Sequence, residues 1–168
     1  MAFHPALVLA VSSLLSLAPA GEPGTRVHLE CVVRDSGGRP VAGAAVHVYQ
    51  TDASGRYTPD RPMDEPHARL SGRVTAGADG RFEVDTIRPG GYPKAVRLGG
   101  VDRHIPAHIH MDVTAKGHPD LRVQVVFSDD PNLEDPYWKK WAASLHQPVV
   151  TVEDKDGRLT ARVVLQVE

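Results

Sequence analysis

His108 and His110 stand two residues apart in the run Pro106-Ala107-His108-Ile109-His110-Met111-Asp112-Val113. Side chains of an extended strand alternate between its faces, so this spacing puts both imidazoles and Asp112 on one side. Ile109, Met111 and Val113 fall on the other side and read as core. The imidazole side faces either water or something that needs imidazole, and two neutral imidazoles on one face are half of a transition-metal site. Such a site takes about four protein donors when structural and about three when catalytic with an open position. The remaining donors must therefore come from elsewhere in the chain.

The elements that would position them follow a short apolar opening. Residues 6–17 carry no charge and lead into Ala18-Pro19-Ala20. This reads as a secretory signal peptide over residues 1–20, too short to span a bilayer comfortably and with small residues suited to a cut after Ala20. The expectation is a secreted or periplasmic protein with no membrane attachment after signal removal. Residues 21–168 would then be a single domain with a sizeable core. Nineteen basic against twenty-one acidic residues, with no long run of either sign, point away from nucleic acid and anionic membrane surfaces. Cys31 is the only cysteine and alternates with Val27, Leu29 and Val33, so it reads as a small core residue with no intrachain disulfide to form.

Alternation predicts strands over residues 26–34, 44–50, 70–75, 81–85, 108–113, 121–127, 149–153 and 159–167. Asp79-Gly80 supplies the positive φ of a tight turn, so 70–75 and 81–85 read as a hairpin, as do the last two strands around residues 154–157. Residues 51–67 are rich in turn formers and read as a long loop able to cover a site. A Pro/Gly-dense bend carries Tyr92. Only residues 136–145, with Tyr137, Trp138 and Trp141, suit a short helix. Many short strands and almost no helical period indicate an all-β sandwich of mostly antiparallel strands, with at most one short helix.

Five landmarks together carry a resemblance. They are the strand and turn Leu29 to Pro40 with Val41-Ala42-Gly43-Ala44, the run Val48 to Tyr57 ending Gly55-Arg56-Tyr57, Gly72-Arg73-Val74 through Asp79-Gly80-Arg81-Phe82, Thr86-Ile87-Arg88-Pro89-Gly90-Gly91-Tyr92-Pro93, and Pro106-Ala107-His108-Ile109-His110. In this order and spacing, over about residues 25–130, the chain resembles the intradiol ring-cleavage dioxygenases, which open catechols between the two hydroxyls. The resemblance implies Fe(III) as cofactor, Tyr57, Tyr92, His108 and His110 as its ligands, a catechol and O2 as substrates, and a muconate-type diacid as product. It places Gln124 at the substrate pocket. Tyr57, on the long loop, is expected to be the tyrosine that leaves the iron and accepts a substrate proton.

The donor types agree with that ion. Ferric iron is hard and highly charged, so it favours anionic oxygen and drives a phenol of ordinary pKa ~10 to ionise. One position departs from the family pattern: Ile105 stands where family enzymes carry an arginine that stabilises negative charge on the ring. Arg103, two residues earlier, is the nearest guanidinium to take that part. The rival reading is a non-catalytic, transthyretin-like sandwich that binds a metal or a small aromatic ligand. What separates the two is whether Tyr57 and Tyr92 converge on His108 and His110.

Overall fold

The structure, a computed structural model, describes residues 13–92 and 94–168. The first twelve residues of the expected leader lie outside the described residues. The strands are β1 (Ser13–Ser16), β2 (Arg26–Arg34), β3 (Ala45–Gln50), β4 (Leu70–Thr75), β5 (Arg81–Ile87), β6 (Val96–Leu98), β7 (Val101–Arg103), β8 (His108–Thr114), β9 (Leu121–Phe127), β10 (Val149–Val150), β11 (Glu153–Lys155) and β12 (Arg158–Gln166). One helix, α1 (Pro136–Ser144), lies between β9 and β10.

Two five-stranded sheets form the sandwich. The first runs β1-β5-β2-β12-β11 and the second β10-β9-β8-β3-β4. Strict alternation drives their packing: Val27, Leu29, Cys31 and Val33 of β2 turn inward, opposite Val46 and Val48 of β3 and Ile109, Met111 and Val113 of β8. Each such side chain taken out of water contributes about 1.5–3 kcal/mol before entropy is counted. Gln50 also points inward, and its amide is fully used: Oε1 accepts from the Thr86 hydroxyl at 2.8 Å, and Nε2 donates to the carbonyls of Ile87 at 3.0 Å and Thr51 at 3.1 Å. The side chain thus joins the two sheets just below the site.

The expected hairpin between residues 70–75 and 81–85 does not form. Its turn is there, with Gly80 N–H on the Gly77 carbonyl at 3.0 Å, but β4 pairs with β3 in the second sheet and β5 with β2 in the first. Both flanking strands have an inward apolar row, and each buries it from its own side of the sandwich. Residues 149–153 likewise split: β10 pairs parallel with β9, while β11 crosses over to pair with β12 around Asp156-Gly157, both at positive φ. Segments 96–98 and 101–103 form a small hairpin turning at Gly99-Gly100.

The folded body also reaches ahead of Gly21. β1 pairs parallel with β5, and Leu17 N–H donates to the Asp85 carbonyl at 2.8 Å. Leu17 and Ala18 are buried in the main core, and Leu15 packs against it beside Gly72 of β4. Arg26 donates to the carbonyls of Ala18 and Pro19, and Arg69 holds Glu22 through two bonds of 2.6 and 2.7 Å. Residues 13–20 therefore close the edge where the two sheets part.

Candidate metal centre

The outer face of the second sheet carries the histidines. Its inner face is apolar, so the register of β8 sends His108 and His110 to the opposite side, where they are nonetheless buried beneath loops. Two segments cross over them: residues 51–69 and residues 88–92. The first delivers Tyr57 and the second Tyr92.

Backbone interlock fixes the two tyrosines relative to each other. Gly90 N–H donates to the Asp52 carbonyl at 2.8 Å, and the Thr51 hydroxyl donates to the Gly90 carbonyl at 2.9 Å. Gly55 sits at φ +81°, and a Cβ there would lie 1.9 Å from the Gly91 carbonyl oxygen. Only glycine permits both the left-handed backbone and this approach. Tyr57 is then held on both sides, its N–H on the Pro62 carbonyl and its carbonyl taking the Arg69 N–H, each at 2.9 Å. The histidine strand is anchored by Asp130, whose buried carboxylate accepts the Ala107 N–H at 2.9 Å and the Asn132 N–H at 2.8 Å.

Four polar atoms meet as a result. Tyr57 Oη is 2.9 Å from Tyr92 Oη and 3.0 Å from His110 Nε2, and the two histidine Nε2 atoms are 3.1 Å apart. Ligands about 2.1 Å from a shared ion at near-right angles are ~3 Å from one another, so the spacing fits a metal. His108 Nδ1 donates to the Pro106 carbonyl at 2.8 Å, which leaves Nε2 as a lone pair facing the centre. Among the described residues no three His, Cys, Asp or Glu side chains gather as a metal group. The cluster depends on its phenols.

The electrostatics favour the neutral form of every donor in the absence of a cation. Burial pushes the Tyr57 phenol well above its ordinary value, helped by the hydrogen bond with Tyr92, and burial also raises Tyr92. Burial, then the neighbouring His108, pulls His110 down to about 3, and burial lowers His108. Neutral imidazoles are ready ligands. The phenols need a strong positive charge to ionise, and a ferric ion is such a charge.

The other expected site residues divide. Gln124 opposes His110 in the β8–β9 ladder, so its half-buried side chain shares the histidine face. Arg103 is taken elsewhere: its guanidinium is bonded to Asp135 and lies 4.8 Å over the Tyr137 ring, and none of its described contacts reaches the four donors. Asp135 also caps α1, accepting the Tyr137 N–H at 2.9 Å, so Arg103 ties the β6–β7 hairpin to the helix. Ile105 is half-buried, with its backbone beside Gly91. Tyr57, expected to be the tyrosine that leaves the iron, is 2% exposed and held on both sides through its backbone, whereas Tyr92 is half-buried.

Sequence reasoning missed three contributors. Asp130 is not among the expected site residues, although Asp-Pro-Asn at residues 130–132 is an N-cap signature. Tyr49 is not among them either, yet its ring stacks on His110 with centroids 4.4 Å apart and planes 4° from parallel. Glu65 drew no attention, and its carboxylate lies 3.1 Å from Tyr49 Oη and 3.9 Å from His110 Nδ1.

Comparison with known proteins places these observations. A family described as Dioxygenase matches residues 9–163. The chain is 36% identical over 147 residues to a chlorocatechol 1,2-dioxygenase of Rhodococcus opacus, covering 82% of this chain and 57% of that protein. It is 36% identical over 120 residues to the protocatechuate 3,4-dioxygenase beta chain of Burkholderia cepacia, covering 67% of this chain and 49% of that one. The chain thus spans about half the length of these curated relatives. The fold matches the dioxygenase domain of a dioxygenase and carbohydrate-binding protein fusion from Streptomyces sp. SirexAA-E, with a TM-score of 0.68 at 22% identity over 99% of this chain and 96% of that one.

Proposed function

The chain belongs to the intradiol ring-cleavage dioxygenase family, and from that premise we propose that it is a non-haem Fe(III) enzyme that opens a catechol-type ring between its hydroxyls with O2, giving a muconate-type diacid. The observation that carries the reading is the meeting of two phenol oxygens and two imidazole nitrogens at 2.9 to 3.1 Å, none of which a simple carrier needs.

Tyr57, Tyr92, His108 and His110 would hold the ion, since their oxygen and nitrogen atoms meet at 2.9 to 3.1 Å. Ferric iron held there would supply Lewis acidity toward the catechol oxygens and a sink for electron density from the ring. Tyr57, His108 and His110 are buried and braced, and keep their places. Tyr92 turns out on substrate binding, and its phenolate oxygen takes one substrate hydroxyl proton. Gln124 presents its amide beside His110 toward the substrate ring. A hollow of about 480 Å³ lies on the same loops, lined by Arg61, Pro62, Met63, Asp64 and Lys94 and by none of the four residues that hold the ion.

The test is the visible spectrum of the iron-loaded chain with and without catechol, read with oxygen uptake and beside Tyr92→Phe. A broad tyrosinate-to-iron band that shifts with catechol, weakens in the variant and accompanies formation of a muconate is expected. Folded, iron-bound protein without the band overturns the ligand set. A band with no oxygen uptake overturns turnover and leaves a catechol-binding site.

A further inference from the structure

His108 and His110 are supported differently, and the difference assigns a part to two residues outside the ligand set. His108 Nδ1 is satisfied by the neutral Pro106 carbonyl of its own strand. His110 turns Nε2 toward Tyr57 and His108, which leaves Nδ1 on the far edge of its ring. The group found at that edge is Glu65, with Oε1 3.9 Å from Nδ1. The same oxygen accepts the Tyr49 hydroxyl at 3.1 Å, and the Tyr49 ring lies flat on the His110 imidazole. Tyr49 opposes His110 in the β3–β8 ladder, so the stack is set by strand register.

We propose that Glu65 and Tyr49 are positioning residues for His110: the carboxylate fixes the proton on Nδ1 and keeps Nε2 as the metal-facing lone pair, while Tyr49 holds both ring and carboxylate. The inference rests on the ligand set given under Proposed function. At 3.9 Å, Oε1 stands about 1 Å beyond a formed charge-assisted hydrogen bond, so the carboxylate faces the Nδ1 edge of a neutral imidazole without being bonded to it. Glu65 begins a short 3-10 turn, Glu65–His67, and the residue before it, Asp64, is ion-paired with Arg61 and hydrogen-bonded to His67, at 2.8 Å each. The carboxylate therefore sits on a braced turn within the loop that carries Tyr57. It stands behind the His110 ring, on the edge away from the donors, so its part is outer support rather than a fifth ligand. A carboxylate behind one imidazole and a neutral carbonyl behind the other make His110 the stronger donor of the pair.

The experiment reads the imidazole nitrogens directly. Long-range nitrogen–proton NMR spectra of the metal-free full chain at neutral pH give the tautomer of His110 in wild type, Glu65→Ala, Glu65→Gln and Tyr49→Phe. Transfer of ferric iron to a chelator gives its release rate from each. Wild type is expected to carry the His110 proton on Nδ1. Glu65→Ala is expected to shift it toward Nε2 and to release iron roughly 10-fold to 100-fold faster. Glu65→Gln, which keeps an acceptor, is expected to restore the tautomer. Tyr49→Phe, which keeps the stack and frees the carboxylate, is expected to fall between wild type and Glu65→Ala. Unchanged tautomer and unchanged iron release in folded Glu65→Ala overturn the proposal. A wild type without the tyrosinate band but with a Glu65-dependent tautomer overturns the iron reading and leaves the positioning role standing.

Discussion

Leu17→Ala compared with Leu14→Ala asks whether residues 13–20 belong to the working domain. The two leucines occupy opposite faces of the same edge segment: Leu17 is 7% exposed and part of the main core, and Leu14 is 55% exposed. Removing a buried leucine side chain costs about 2–5 kcal/mol, because the transfer energy is lost and the cavity only partly collapses. An exposed substitution stays within about 0.5 kcal/mol. For a domain of this size, about 3 kcal/mol lowers Tm by roughly 6–12 °C. Urea unfolding of the two variants in the 168-residue chain measures the difference at constant m-value. A chain begun at Gly21 should be destabilised as well, since it loses Leu17, Ala18 and the pairing of β1 with β5. Equal midpoints for the two leucine variants, with a Gly21 chain as stable as the longer one, would refute the assignment of β1 to the fold.

Three further outcomes follow from the site. Gly55→Ala should fold poorly or lose the tyrosinate band, because its Cβ would meet the Gly91 carbonyl oxygen at 1.9 Å in a left-handed backbone; a folded variant with an unchanged ferric spectrum contradicts the interlock. Asp130→Ala leaves the Ala107 N–H without its buried acceptor, a loss of about 1–3 kcal/mol by denaturant unfolding, with faster iron release because His108 is the next residue. The iron-free chain should lose stability on acidification. Folded His110 stays neutral down to about 3, whereas an unfolded histidine takes up a proton near 6.5, so below 6.5 the unfolded state binds the extra proton. Stability then falls between 6.5 and about 3 by up to ~1.4 kcal/mol per pH unit for this histidine. His110→Gln should show a shallower dependence over the same window.

Where a strand has one buried face, its alternation is legible in sequence. Residues 26–34, 70–75 and 121–127 coincide with β2, β4 and β9 for that reason. Pairing is less legible, because it depends on which side of a shared core each strand occupies. Asp79-Gly80 identifies a turn, but a turn between two strands that each bury an inward row serves a hairpin or a crossing between sheets equally well. The segment 13–20 is the extreme case. An uncharged run of alanine, leucine and serine matches both the core of a leader and a strand closing a sandwich edge, and composition does not separate them. The packing of Leu17 and Ala18 puts those residues inside the body of the domain.

The cluster of Tyr57, Tyr92, His108 and His110 was legible because the order and spacing of these residues carry a family resemblance. Its supports were not, because each is an ordinary residue given its task by register or by a turn. Tyr49 stacks on His110 because β3 and β8 pair so that the two are opposite, a fact carried by no residue type. Arg103 shows the converse. Proximity in sequence to the missing arginine made it a candidate for the substrate pocket, but the β6–β7 hairpin carries it to Asp135 at the start of α1. If the chain turns over a catechol, stabilisation of negative charge on the ring must come from something other than Arg103, with Ile105 contributing none. Arg103→Ala should therefore weaken the docking of the hairpin on α1, lowering stability, while leaving the ratio of kcat values for electron-rich and electron-poor catechols unchanged. A variant whose kcat falls selectively on electron-poor rings would return Arg103 to the substrate.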